Sequence, residues 1–161
     1  MSGTILREFA QLVQHGRCMG SKKNPKPERP QVGAGLIIRK GNSILLGFRE
    51  KKFGYGQLCL PGGHVELFET AEVAAIREAE EECGLKVGKA KLIGFTEDFY
   101  PEDGKHYITI FFTARWIGGE PVDMEPNKIS NWQWYPIKDL KHMKSKLWEP
   151  CIEKFRKLGW L

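Results

Sequence analysis

Leu60 to Leu85 reads LPGGHVELFETAEVAAIREAEEECGL, a glycine turn followed by a run of strong helix formers. Glu69 and Thr70 open the helical run and Gly84 stops it, as a left-handed C-terminal cap does. At about 100° per residue, Ala71, Ala74, Ala75, Glu78, Glu81, Glu82 and Leu85 share an arc of roughly 120°. Three glutamates thus lie beside small apolar residues. Turned inward, they need a metal, a basic partner or protonation, because an unpaired buried carboxylate is costly. Val73, Ile76 and Cys83 occupy the other side, so periodicity leaves the inward face open. The plain alternative is a solvated acidic helix in which Arg77 makes local ion pairs. Pro61-Gly62-Gly63 shifts that balance. Adjacent glycines let the backbone approach a ligand closely and aim a carbonyl at a cation. A carbonyl with clustered carboxylates is an all-oxygen donor set, suited to Mg²⁺ or Mn²⁺ and poor for zinc. Such a set clamps a diphosphate while water attacks.

Around this stretch the chain alternates between strand and helix signals. Val32 to Arg39 and Ser43 to Phe48 are rich in Val, Ile and Leu, with Lys40-Gly41-Asn42 between them as a tight turn. Residues 90–97 and 106–116 are further strand candidates, and 131–136 is a short one with Trp132 and Trp134 on one face. A second helix is expected over about 144–158. Strands with interleaved helices make an α/β sandwich. Residues 4–14 place Ile5, Leu6, Phe9, Leu12 and Val13 at helical spacing. Residues 20–30, with three prolines and three lysines, read as a linker. The expected division is therefore an N-terminal helix and basic linker over 1–30 and one domain over 31–161.

The 161 residues are 41% hydrophobic and 28% charged, which excludes a disordered chain, a fibre and a disulfide miniprotein. No apolar run is long enough to cross a bilayer, and no secretory signal opens the chain, so a cytoplasmic protein is expected. Cys18, Cys59, Cys83 and Cys151 are scattered without ligand spacing, arguing against zinc or a disulfide framework. The net charge of +5 is uneven: residues 1–30 carry +4, residues 138–161 carry +4, and the centre carries −3. A basic total normally raises nucleic-acid binding. The acidic centre argues against it here and favours a divalent cation.

Gly63, Glu69, Arg77-Glu78-Ala79, Glu81-Glu82 and Gly84-Leu85, at these spacings, resemble the Nudix box. LLGFRE, LPGGHVE, HYITI, Glu125-Pro126, WQW and KLWEPCIEKFRKLGW extend the resemblance over about residues 31–160, toward the MutT-like nucleoside-triphosphate diphosphatase branch. The resemblance implies a Nudix fold, an α/β/α sandwich with a mixed, curved sheet. It implies Mg²⁺ (or Mn²⁺) held by Glu78, Glu82, the Gly63 carbonyl and Glu81, with Arg77 orienting the glutamates through Glu69.

The general base implied is Glu81, with Glu125 as the alternative. Arg49 is expected on phosphate, with Gly62 and His64 at the pocket and Thr109 and Trp134 framing a base. Trp132 and Phe99 are further framing candidates, and Lys51 and Lys52 read as a solvated pair.

The expected reaction splits a nucleoside triphosphate, ordinary or modified (such as 8-oxo-dGTP), into monophosphate and pyrophosphate. The rival substrates are a nucleotide sugar, a capped RNA end or another diphosphate. The rival class is a non-catalytic nucleotide- or RNA-binding module. A homodimer is consistent with the branch.

Overall fold

The computed structural model describes residues 29–161, so the helix expected over 4–14 and most of the linker lie outside the described residues. Seven strands form one sheet: β1 (Gln31–Lys40), β2 (Ser43–Arg49), β3 (Leu58–Cys59), β4 (Gly62–His64), β5 (Lys91–Tyr100), β6 (Lys105–Arg115) and β7 (Ile129–Pro136). Its main path runs β3-β2-β1-β6-β5, with β4 paired to β1 and β7 to β2. β1 and β6 are parallel over Gln31–Arg39, while the other ladders are antiparallel. The sheet is mixed, as expected.

Consecutive strand residues point to opposite faces. Leu36, Ile37 and Ile38 are all fully buried, as are Ile44, Leu45 and Leu46, and Phe111 and Phe112 are both buried. Both faces of the sheet centre are therefore covered, which is the sandwich arrangement. One cover is α1 (Ala71–Cys83), packed on β1, β4 and β6; another is α2 (Glu149–Lys157), packed on β5.

Helix α1 starts where Thr70 accepts a hydrogen bond from the Val73 N–H at 3.2 Å. It stops at Gly84, whose φ of 68° is the left-handed conformation glycine adopts without strain. Its inward stripe is Ala74, Ala75, Ala79, Glu82 and Cys83, while Val73 is exposed. Small alanines let the helix lie close to the sheet, which carries Glu82 inside with them.

The C-terminal helix begins later than the expected 144. Residues Ile137–Lys146 form 3-10 turns, Leu147 is extended, and Pro150 sits in the first turn of α2, where its missing N–H costs nothing. Among the described residues no helix is long and apolar enough to cross a membrane.

Candidate active site

The glycine turn is placed by β4, whose Gly62, Gly63 and His64 pair with Gly35, Ala34 and Gly33 of β1. There is no room for side chains at the two glycines. A Cβ on Gly62 would strike the Ala34 carbonyl, and one on Gly63 would strike the Glu78 carboxylate. The Gly62 N–H donates to Glu82 Oε2 at 2.9 Å, joining the turn to the last turn of α1. Trp132 Nε1 donates to the Glu82 carbonyl at 3.1 Å, fixing the same residue from β7.

Arg77 is the hub of the acidic helix. Its Nη2 and Nε donate to Glu69 at 2.8 and 3.2 Å, and Nη1 donates to Glu78 at 3.0 Å and Glu81 at 2.9 Å. Nη2 also donates to the His64 carbonyl at 3.2 Å, tying the helix to β4. The bond to Glu69 is the largest of several effects that push the Arg77 pKa further up, and the same pairing holds the Glu69 carboxyl below its usual value. Sequence reasoning expected Arg77 to act through Glu69, and the structure brings the two together.

Glu82 is 3% exposed. Burial pushes its pKa up to about 8; the Gly62 bond opposes this, and the charges of Glu78 and Glu125 add to it. Carboxylates close enough to repel one another, beside a glycine turn, are a donor set that suits a hard divalent cation. Gly63, Glu78 and Glu82 meet at this point. Glu81 is about half exposed and turned to Arg77. Among the described residues no three His, Cys, Asp or Glu side chains are grouped to hold a metal ion as they stand, and Arg77 Nη1 is paired with both Glu78 and Glu81. Glu125 Oε1 pairs with Lys128 Nζ at 2.5 Å, while Oε2 is buried without a hydrogen-bond partner.

One pocket is lined by residues of this acidic region and by aromatic side chains. Its lining includes Gly62, Gly63, His64 and Glu82, then Arg49, Lys51 and Lys128, then Phe53, Tyr107, Thr109 and Trp148. Arg49 stacks its guanidinium on Trp148, 4.0 Å from the ring centroid, and donates to the Phe53 carbonyl at 3.1 and 3.3 Å. It therefore braces the pocket wall. His64 Nε2 lies 3.3 Å from Gln31 Oε1, and Thr109 Oγ1 donates to Asp98 Oδ2 at 2.7 Å.

Not every expected residue reaches the pocket. Trp134 stands opposite Leu45 and packs edge-on against Trp116 at 6.3 Å, with Lys40 Nζ 5.3 Å from its ring. It belongs to the far side of β2 and does not line the pocket, which corrects its assignment as a base-framing residue. Trp132 is core, and Phe99 stacks on His106 at 4.4 Å. Lys51 lines the pocket and its charge favours ionised Glu82, so it is more than half of a solvated pair.

Sequence reasoning missed Asp98, Tyr100, Tyr107, Phe53, Trp148 and Lys128. A signal existed for two of them: with Thr96, Asp98 and Tyr100 place polar atoms at every second position of a strand, on one face.

Comparison with known proteins bears on the same residues. The NUDIX domain family matches residues 29–156. The chain is 32% identical over 130 residues to the low-salt glycan biosynthesis protein Agl8 of Haloferax volcanii, covering 77% of this chain and 74% of that one. It is 41% identical over 91 residues to an ADP-ribose pyrophosphatase of Methanocaldococcus jannaschii, covering 56% of this chain and 54% of the relative. It is 31% identical over 113 residues to the NAD-capped RNA hydrolase NudC of Pseudomonas entomophila, covering 69% of this chain but only 39% of the relative.

Among solved structures, a MutT NUDIX hydrolase from Burkholderia pseudomallei superposes with a TM-score of 0.65 at 32% identity, covering 68% of this chain and 84% of that one. The relative named for capped RNA removes support from the expectation that weighed against a nucleic-acid partner.

Proposed function

Because the chain belongs to the NUDIX domain family, whose members hydrolyse pyrophosphate bonds, we propose that its substrate is a nucleoside triphosphate, ordinary or oxidised, cleaved to monophosphate and pyrophosphate. The observation that carries this reading is one pocket lined both by Glu82 and the Gly62-Gly63 turn and by the rings of Phe53, Tyr107 and Trp148. A phosphate chain and a planar base need those two environments in one cleft.

Gly63, Glu78 and Glu82, with Glu81 directly or through water, would hold Mg²⁺. When bound, the ion supplies charge neutralisation at the phosphates and a water of lowered pKa. Lys51 and Lys128, both on the pocket lining, offer point charges to phosphate oxygens as the chain of anions enters. Arg77 holds Glu78 and Glu81 in place and keeps Glu69 ionised against β4. The attacking water gives its proton to a carboxylate, and we assign that role to Glu81. The free, buried Oε2 of Glu125 favours a second reading in which Glu125 is the base. Parallel kcat measurements on Glu81→Gln and Glu125→Gln separate the two.

A longer substrate is the second functional reading. A second cleft shares Lys51, Phe53, Tyr100 and Trp148 with the main pocket and adds Lys52, Lys105 and Tyr55, with Asp103 and Glu149, to its walls. The three lysines and the exposed Tyr55 ring suit an additional phosphate or nucleotide, as in ADP-ribose or a capped RNA end. Product analysis tests both: pyrophosphate from a triphosphate supports the first reading, and two monophosphates from ADP-ribose or cap support the second. The homodimer remains a proposal that sedimentation equilibrium tests.

A further inference from the structure

The sheet face turned away from the pocket is covered only in part. Thr109 and Phe111 line the pocket, so Ile108, Ile110 and Phe112, at the alternate positions of β6, point the other way. The strand registers extend that row to both sides. Val32 of β1 stands beside Ile108, while Phe95 and Leu92 of β5 stand opposite Ile110 and Phe112. Helix α2 takes the pocket side, where Pro150 and Cys151 line the pocket and Lys154 lies over the Phe111 ring. Helix α1 is then the cover of this side, packed on β1, β4 and β6. Over β5 the cover stops: Leu92 is 58% exposed and Phe95 55%, and Val32 is exposed at the other flank.

The outer edge of β5 is less open than its face. Lys154 and Lys157 donate from Nζ to the carbonyls of Ile93 and Phe95, the second at 3.4 Å. A strand added at this edge would displace both, so the apolar face suits a helix better than a further strand.

The described chain begins at Arg29 and β1 at Gln31, so the preceding residues enter at the Val32 end of this face. Val65 N–H donates to the Val32 carbonyl at 3.0 Å, and the loop that follows carries Leu67 and the almost fully exposed Phe68. In the preceding chain Ile5, Leu6, Phe9, Leu12 and Val13 recur at helical spacing, an apolar stripe that needs a surface to cover it. Residues 15–30 are long enough for this. From β1 to β5 is two strand spacings, about 10 Å, and a linker of that length reaches several times as far. Exposed Glu97 in the same row and Glu66 in the loop offer counter-charges to Lys22, Lys23 and Lys26 of the linker.

We propose that residues 4–14 dock as an amphipathic helix on the β5–β6 face of their own domain, laying the stripe of Ile5, Phe9 and Leu12 over Leu92, Phe95 and Ile110. The tether holds the segment at an effective concentration in the millimolar range, so a contact too weak to join two molecules is enough. The docked helix leaves the pocket open, because it lies on the opposite side of the sheet.

Hydrogen exchange read by mass spectrometry on the full chain tests the proposal, with sedimentation velocity on the same samples. The amides of residues 4–14 should exchange at least about 10-fold more slowly than in a free peptide of that sequence, and do so in the monomer. Phe95→Glu, at an exposed position, should remove that protection while the amides of β1 and β6 keep theirs. Leu12→Glu should remove it from the other side of the contact, and it serves alone should Phe95→Glu fail to fold. Free-peptide exchange over 4–14 in the unaltered chain, or protection that survives Leu12→Glu, overturns the proposal. Protection that appears only at concentrations where the chain is dimeric also overturns it, and assigns the face to a second copy.

Discussion

Replacing Glu82 with Gln should make the metal-free protein more stable at alkaline pH while abolishing catalysis. The pKa of Glu82 is about 8 in the fold against an ordinary 4.5, chiefly because burial disfavours the charge. The folded protein therefore holds a proton on Glu82 between those values that the unfolded chain has already released. Stability from this group is fully present below pH 4.5, declines as pH rises, and is gone above about 8.

From pH 6 to pH 9 the folded carboxyl ionises over about two pH units, at 1.36 kcal/mol per unit, a loss of roughly 2 to 3 kcal/mol. Gln loses nothing over that range. At pH 6 its extra N–H should cost about 1 kcal/mol if it finds no acceptor. The difference between variant and parent should thus move in favour of Gln by roughly 2 to 3 kcal/mol between pH 6 and pH 9, or about 5 to 10 °C in Tm for a chain of this length. Urea unfolding of both proteins in EDTA at the two pH values reads it directly. Parallel stability curves would refute the buried, cation-seeking role of Glu82, as would a variant with near-normal turnover.

Arg77→Ala should lower kcat/KM by about 10- to 100-fold and raise the Mg²⁺ requirement, as loss of a residue that orients metal ligands does; a Mg²⁺ titration of turnover checks both. The two glycines of the turn should part company. Gly62→Ala meets the Ala34 backbone carbonyl, which cannot swing away, so a drop in Tm is expected. Gly63→Ala meets only the Glu78 carboxylate, so the protein should fold and lose Mg²⁺ affinity; thermal melts with and without Mg²⁺ distinguish the pair. Removing residues 1–28 should leave kcat/KM essentially unchanged, because the family match begins at residue 29; a large loss would assign part of the site to the removed segment.

What the sequence made legible followed from periodicity long enough to read. Helix α1 was visible through its Thr70 cap and Gly84 stop, and β1, β2, β5, β6 and β7 through runs of β-branched and aromatic residues. Strands β3 and β4 are two and three residues long, below any period, so the pairing of the Gly62-Gly63 turn with β1 was not readable. The inward face of α1 was ambiguous because three glutamates share it with alanines. Packing resolved it: Ala75 and Ala79 approach the sheet, Glu82 follows them inside, and Arg77 gathers Glu69, Glu78 and Glu81 at the edge.

Trp134 misled because an aromatic on a strand says nothing about which end of the sheet it reaches. Asp98 and Lys128 escaped notice since they lie far in sequence from the glycine turn, and only the β5–β6 register brings Asp98 to Thr109.

The most direct test of the central claim is a Mg²⁺-dependent product assay on the full chain, with Glu82→Gln as the blank. Ordinary and oxidised nucleoside triphosphates are compared with ADP-ribose, nucleotide sugars and a capped dinucleotide. The account predicts pyrophosphate and monophosphate from a triphosphate, lost without Mg²⁺ and lost in the variant. No pyrophosphate from any triphosphate, or turnover that survives both the chelator and Glu82→Gln, would contradict it.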